Sequence, residues 1–149
     1  MPYIKRNRRE QLEPIIQLIG TLDILGDTCP KENNWKRKAI VQLMIDLEVK
    51  VDGDLNYIIY SVCKRYVKPS YNNYKKFLTR LSFYNHNIEP QGELDDILYK
   101  FFNDYSLTCK DYIKYNNFIG EIDCCVLEIY RRLIAKYEDE KIVENGDIE

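Results

Sequence analysis

The sequence contains a repeated helical pattern, whose first copy is GDLNYIIYSVCKRYVKPSYNNYKKFLTRL at residues 53–81. The first half of this copy recurs 39 residues later and the second half 41 residues later. The matched positions are Gly53-Asp54-Leu55, Ile58, Tyr60, Tyr66, Tyr71, Tyr74, Phe77, Leu78 and Leu81 against Gly92-Glu93-Leu94, Ile97, Tyr99, Tyr105, Tyr112, Tyr115, Phe118, Ile119 and Ile122. Each copy joins an acidic first turn to two apolar stripes at helical spacing. The pattern predicts two internally similar helical hairpins, 53–81 and 92–122.

An alternative to duplication is that any two helices of a bundle share apolar residues three and four positions apart. That accounts for the leucines and isoleucines, but less readily for the paired glycine-acid-leucine openings and the matched tyrosines. We therefore favour duplication. Because repeat solenoids need three or more units, two units indicate a compact bundle, with residues 1–149 forming a single helical domain.

Further helices are predicted on both sides of the duplicated segment. A first helix, with Pro14 in its first turn, is indicated by Leu12, Ile15, Ile16, Ile19 and Leu22. A second runs from about Asn34 to Val49, and the last and longest from about Asp111 to a stop at Asn145-Gly146. No segment alternates in the manner of a strand. We predict an all-α fold, a compact bundle of about six helices with a long C-terminal helix.

The composition is that of an ordinary soluble domain, with 149 residues, a net charge of −2 and 31% charged residues. No apolar run is long enough to span a bilayer, and no cleavable leader is apparent, so we expect a cytoplasmic protein. The five cysteines are odd in number and lack C-x-x-C spacing, which predicts reduced thiols. His86 is the only histidine and lies in a polar stretch that we predict to be a loop.

The sequence lacks a phosphate-binding loop and a hydrolase nucleophile elbow. All-α nucleotide pyrophosphohydrolases hold magnesium with carboxylates three positions apart, a spacing present at Glu93 and Asp96 and at Glu10 and Glu13. Acids at these positions are also favoured simply because they lie in first helical turns. We predict no catalytic residue, no metal and no cofactor, and keep a magnesium-dependent nucleoside triphosphate pyrophosphohydrolase as the enzymatic alternative.

Both ends of the chain and its central motif resemble a family of small uncharacterised proteins from bacteria and their phages. The family pattern is MPYI at the start, GELNY in the middle and YRRxxAPYEDKKIxENGD near the end. This chain resembles it at Met1-Pro2-Tyr3-Ile4, Gly53-Asp54-Leu55-Asn56-Tyr57, Tyr130-Arg131-Arg132 and 135–147. It departs from it at Lys136, where the family has proline, so the helix is expected to continue there. The resemblance implies a phage-associated gene neighbourhood but no activity.

Our candidate site for a ligand or partner is Tyr130, Arg131 and Arg132, together with Tyr137 and with Tyr57 of the central motif. An aromatic plane beside two guanidinium groups suits phosphate or carboxylate recognition. A purely structural alternative is an exposed ion pair between Arg132 and a glutamate one turn earlier. We hypothesise a non-catalytic helical binding protein, encoded by a phage, that sequesters or inhibits a host macromolecule or a small nucleotide signal in the host cytosol.

A basic arm of Lys5, Arg6, Arg8 and Arg9 raises a third possibility, a nucleic-acid-binding accessory protein whose tyrosines stack on bases. The net charge of −2 and the pI of about 5.6 disfavour it, since phosphate binding needs a positive surface.

The two ends of the chain carry opposite charge, because the C-terminal residues are mostly acidic. We therefore predict that the ends meet, within one chain or across a homodimer, with Tyr3 and Ile4 packing on Tyr137 and Ile142.

Overall fold

The computed structural model describes residues 4–82, 90–107 and 112–146. Helix α1 spans Arg6–Gly20, a 3₁₀ turn at Lys31–Asn33 leads into α2 (Asn34–Asp46), and α3 and α4 span Gly53–Tyr66 and Tyr71–Leu81. They are followed by α5 (Glu93–Leu107), α6 (Tyr112–Ile129), a π-helical segment (Tyr130–Ile134) and α7 (Ala135–Asn145). Since the described ranges contain no strand, the predicted all-α class is confirmed.

The last three elements form one helical run, because the residues at both junctions have right-handed helical backbone angles. With this run counted once, the described ranges contain six helices, as predicted. Lys136 lies inside the run, in α7, so the helix does continue at the position where the family pattern has proline.

Helices α3 and α4 begin where short polar side chains satisfy their first backbone N–H groups, whereas α1 and α2 have no side-chain cap. The Asp52 side chain accepts from the Asp54 N–H at the start of α3, at 3.2 Å. The Ser70 hydroxyl accepts from the Asn73 N–H at the start of α4, at 3.0 Å. Such caps fix helix boundaries because the first turn has no intrahelical acceptor for these donors.

A single apolar core is shared by the helices and consists mainly of the residues at the predicted spacing. Helix α3 packs against α1 and α6, and α5 packs against α2. Core side chains of these helices that are at most 2% exposed include Leu12, Ile15, Ile40, Met44, Leu55, Ile58, Phe77, Ile97, Phe118 and Ile122. The superposition of 53–81 on 92–122 stays a prediction, since residues 108–111 lie outside the described ranges.

Two predicted helix boundaries are wrong. Helix α1 begins at Arg6, so Pro14 lies inside it rather than in its first turn. Proline has no N–H, so one backbone carbonyl of the helix lacks its donor, but Pro14 is on an exposed face where solvent can reach that carbonyl. Helix α2 ends at Asp46, three residues before the predicted end, and Glu48 follows in a left-handed conformation with φ of 51°. The early start of α1 also means that Arg6, Arg8 and Arg9 are helical and do not form an extended arm.

Within the described ranges, no helix is both long enough and apolar enough to cross a bilayer.

Candidate functional site

A cleft of about 1070 Å³ lies between the start of α1, the α2–α3 connection and α6. Its lining includes Arg8, Gln11, Leu47, Lys50, Asp52, Asp54, Asn56, Glu121, Cys124, Leu127, Tyr130 and Arg131. This volume is slightly above the usual range of small-molecule sites, about 300–1,000 Å³.

Arg8 fixes the first turn of α3 at the floor of this cleft. Its guanidinium donates to Asp54 Oδ2 from Nη2 at 2.8 Å and from Nε at 3.1 Å, and to the Leu47 carbonyl oxygen at 2.8 Å. Asp54 also accepts from the backbone N–H of Lys50 at 3.2 Å. The hydrogen bond to Asp54 raises the pKa of Arg8. The Arg8 guanidinium and the Asp54 carboxylate are therefore both engaged in contacts that stabilise the fold.

Asn56 of α3 and Glu121 of α6 meet at the floor. Asn56 is 5% exposed, and its Oδ1 has no hydrogen-bond partner among the residues that the structure describes. Burial raises the pKa of Glu121, a hydrogen bond with Asn56 opposes this rise, and the charge of Asp52 adds to it. The Asn56 amide and the carboxylates of Glu121 and Asp52 thus belong to the same part of the cleft lining.

The π-helical segment Tyr130–Ile134 lies at the rim of the cleft. Arg131 donates to both carboxylate oxygens of Glu128 at 3.1 Å, and Arg132 Nε donates to the same carboxylate at 2.8 Å. The Arg132 guanidinium also lies 5.5 Å from the ring centroid of Tyr60. π segments recur at functional sites because they displace side chains from the regular helical register.

The structure separates the residues of the sequence-based candidate site. Tyr130 and Arg131 line the cleft, whereas Arg132 engages Glu128 in the ion pair that was the structural alternative. Tyr137 packs edge-on against Tyr74, with ring centroids 6.5 Å apart. Tyr57 is part of a different, shallow depression of about 440 Å³.

The basic residues at the start of the chain are also divided. Lys5 and Arg8 line the cleft, whereas Arg6 and Arg9 line the depression next to Tyr57. The Arg9 guanidinium lies 5.8 Å from the Tyr57 ring centroid. The structure therefore divides these four cations between two depressions.

A second polar cluster is buried between α2 and α5 and was missed by sequence analysis. Arg37, 4% exposed, donates to Glu93 at 3.2 Å, to Asp96 at 3.0 Å and to the Pro30 carbonyl oxygen at 3.0 Å. Glu93 is fully buried and also accepts from the backbone N–H of Asp23 at 2.8 Å. The Arg37 guanidinium thus binds the carboxylates of Glu93 and Asp96, which the magnesium hypothesis required as metal ligands.

Both acidic openings of the repeated pattern accept an arginine from the helix packed against them. Asp54 of α3 pairs with Arg8 of α1, and Glu93 of α5 pairs with Arg37 of α2. The sequence contained one signal for these two pairs. Arg8 precedes Leu12 and Ile15 by four and seven positions, and Arg37 precedes Val41 and Met44 by the same two spacings. The pairs span 46 and 56 residues, beyond the reach of local spacing.

The described cysteines are free thiols, as predicted, while Cys109 and His86 lie outside the described residues. Burial raises the pKa of Cys63 to about 12 and that of Cys125 well above its ordinary value. In the ranges that are described, no three metal-ligating side chains come together. Glu13, part of the other predicted carboxylate pair, accepts from Arg65.

The predicted meeting of the chain ends stays a prediction. Ile4 borders the cleft, where a methyl group on Gly53 would lie 3.0 Å from it, while Tyr137 contacts Tyr74. Ile142 is 44% exposed. Tyr3 lies outside the described residues, and the dimeric form of the prediction stays open.

Comparison with known proteins places the chain in a family. No curated protein and no solved structure matches it. A family profile described as a domain of unknown function, DUF6899, matches residues 1–89 and again residues 75–148. Because these two matches together cover nearly the whole sequence, the chain belongs to the DUF6899 family of uncharacterised proteins.

Proposed function

We propose that this chain is a non-catalytic binding protein whose ligand occupies the cleft between α3 and α6. The observation that carries the proposal is the cleft of about 1070 Å³, which Asn56 and Glu121 line together with apolar side chains. The Asn56 Oδ1 atom is buried and lacks a partner within the described residues, which costs about 1–3 kcal/mol, and a ligand that turns this amide toward the cleft and donates to it would recover that energy.

The ion-paired carboxylates of the cleft favour binding over catalysis. Asp54 is held by Arg8, and Glu128 is held by Arg131 and Arg132. Carboxylates fixed in ion pairs shape a site but are poorly placed to transfer protons. The size of the cleft favours a small molecule over the surface of a host macromolecule, which narrows the hypothesis drawn from the sequence.

The test is equilibrium dialysis of a metabolite and nucleotide library against the wild-type protein and the Asn56→Leu variant, read by mass spectrometry. We expect a compound that binds at one per chain and is lost in Asn56→Leu. Asn72→Leu, on an exposed position of α4, is the matched control and should retain binding. Circular dichroism verifies that both variants fold. The proposal fails if no compound binds in a manner that depends on Asn56.

The two alternative functions have less support. Magnesium at Glu93 and Asp96 would have to displace the Arg37 guanidinium. Nucleic acid binding would depend on Lys5, Arg6 and Arg9, because Arg8 is paired with Asp54. Magnesium-dependent nucleotide turnover lost in Glu93→Ala would establish the first alternative. DNA or RNA affinity that falls steeply with salt would establish the second.

The biological setting remains part of this proposal. A phage-encoded protein acting in the cytosol of its host is consistent with the resemblance of its sequence to phage-associated proteins. A homodimer is supported by the exposed apolar residues of α7, Ile142 at 44% and Val143 at 84% exposure. Sedimentation velocity of the wild type and of a variant carrying Ile142→Ser and Val143→Ser tests the dimer, which the substitutions should dissociate.

A further inference from the structure

The charges of this chain are distributed unevenly along its sequence. Residues 55–88 contain none of the 24 acidic residues but six of the 22 lysines and arginines, namely Lys64, Arg65, Lys68, Lys75, Lys76 and Arg80. Arg65 is paired with Glu13. Arg80 is paired with Asp95 at 3.7 Å. The four lysines take part in no ion pair among the described residues. A protein with a net charge of −2 thus has a local excess of positive charge on α3 and α4.

The four lysines lie around the corner at which α3 ends and α4 begins. Lys64 is in the last turn of α3, Lys68 is in the connection, and both Lys75 and Lys76 are in the second turn of α4. All four are exposed. Because a helical residue advances by only about 1.5 Å, they share one end of the hairpin. We call the following six residues the basic corner: Lys64, Lys68, Lys75, Lys76, Tyr66 and Tyr71.

Two exposed tyrosine rings belong to this corner. Tyr66 is 41% exposed, and its ring rests on the end of α1, where a Cβ on Gly20 would lie 2.5 Å from it. Tyr71 is 40% exposed, and the Lys75 ammonium lies 5.2 Å from its ring centroid. Each ring is therefore held by a neighbour while part of it stays open to solvent. Proteins that bind single strands combine such rings, on which bases stack, with cations that follow the phosphates.

A lipid bilayer, the other large anionic surface, fits the corner less well. The apolar face of α4, formed by Tyr74, Phe77 and Leu81, is buried in the core and cannot insert into lipid. The exposed side chains of α4 include no aliphatic one. A nucleic acid duplex, in turn, keeps its bases stacked on each other and offers none to the tyrosines. We infer that the basic corner binds single-stranded nucleic acid, with phosphates on its lysines and bases on Tyr66 and Tyr71.

This surface is separate from the sites described above. None of its six residues lines the cleft, so the inference does not depend on the proposed function. Arg6 and Arg9 line a different depression, next to Tyr57. On one side the corner is bounded by acids, because Lys76 shares a depression of about 450 Å³ with Asp23 and Asp27. We therefore expect Lys76 to contribute less to binding than Lys75.

Fluorescence anisotropy with labelled oligo(dT) and oligo(U) of about 12 nucleotides tests the inference. The variant Lys64→Gln, Lys68→Gln, Lys75→Gln should lower the affinity at least about tenfold. It should also make the slope of log K against log[salt] shallower by about two, since each lysine on a phosphate contributes about 0.7 for single strands. The matched control removes the same charge at exposed positions elsewhere and should change the affinity less than about threefold. It carries Lys31→Gln, Lys38→Gln and Lys136→Gln.

Tyr71 is tested by two substitutions that separate its ring from its hydroxyl. Tyr71→Leu should lower the affinity for the single strands at least about fivefold and leave the salt slope unchanged, because a stacked base is lost but no phosphate contact. Tyr71→Phe keeps the ring and should retain the affinity. A duplex of the same length should bind more weakly than either single strand. The tighter of oligo(dT) and oligo(U) identifies the preferred sugar, and both results support the inference.

Four outcomes would overturn the inference, with circular dichroism verifying that each variant folds. The first is the absence of oligonucleotide binding, including the case in which vesicles containing phosphatidylserine bind instead. The second is an equal loss of affinity in the control variant. The third is a loss confined to a variant with Lys5→Gln, Arg6→Gln and Arg9→Gln, which would assign binding to the start of the chain. The fourth is an affinity that Tyr71→Leu does not change.

Discussion

The substitution Arg37→Met tests whether the buried charged cluster between α2 and α5 stabilises the bundle. Methionine retains much of the side-chain length but leaves Glu93 and Asp96 without their guanidinium. Glu93 is fully buried, so its carboxylate would stay in the core with the two donors that remain among the described residues, the Asp23 backbone and the Asn33 amide, each at 2.8 Å. An ionised carboxylate in such a place is costly unless it is paired.

The expected loss follows from the contacts of Arg37. Removing one partner of a buried ion pair costs about 3–5 kcal/mol. The lost hydrogen bond to the Pro30 carbonyl oxygen adds about 1 kcal/mol, whereas the two donors left on Glu93 reduce the cost of its unpaired charge. We expect the free energy of unfolding to fall by about 3–4 kcal/mol. For a chain of this length that corresponds to a fall in Tm of roughly 6–16 °C.

Urea and thermal unfolding followed by circular dichroism measure this loss. Arg131→Met is the matched control, because that side chain is 65% exposed and its ion pair should contribute at most about 1 kcal/mol. In the double variant Arg37→Met, Glu93→Gln, no charge is left buried on Glu93, so part of the stability should return. A loss below about 1 kcal/mol in Arg37→Met would refute the reasoning, as would a double variant no more stable than Arg37→Met.

Three further predictions concern backbone fit, thiol reactivity and pH. Gly92→Ala should destabilise the fold by about 1–3 kcal/mol, because the added Cβ would lie 2.4 Å from a backbone oxygen. Gly120→Ala should stabilise the fold by roughly 0.5–1 kcal/mol, because Gly120 lies inside α6 with open space around it. Urea unfolding measures both changes. Peptide mapping after a maleimide pulse should find exposed Cys124 labelled and Cys63, whose pKa is raised by burial to about 12, protected until unfolding. Burial raises the pKa of Glu121 above its ordinary value of 4.5, so its ionisation opposes folding as the pH rises through the folded-state pKa. Glu121→Gln should therefore be more stable than wild type at pH 7 but not below pH 4.5, and an advantage that persists in acid would contradict this explanation.

Part of the candidate site was accessible from the sequence. Tyr130 and Arg131 were selected for their chemistry, and both line the cleft. Asn56 and Glu121, which form its floor, were not selected. Asn56 lies inside the central GDLNYI motif, but a single polar residue among apolar ones has the same spacing whether it faces solvent or a cleft.

The sequence by itself determined the helical class, the core stripes and the single long helix at the C-terminal end, because these depend on the 3.6-residue period of residues close in the chain. Only the tertiary structure decided where Arg8 and Arg37 bind, since their partners are 46 and 56 residues away and are selected by which helices pack together. The same packing buries Asn56 against α6 and brings Arg131 to the rim of its cleft. Local periodicity fixes which face of a helix is apolar, but the choice of neighbouring helix fixes which polar groups become buried and in need of partners.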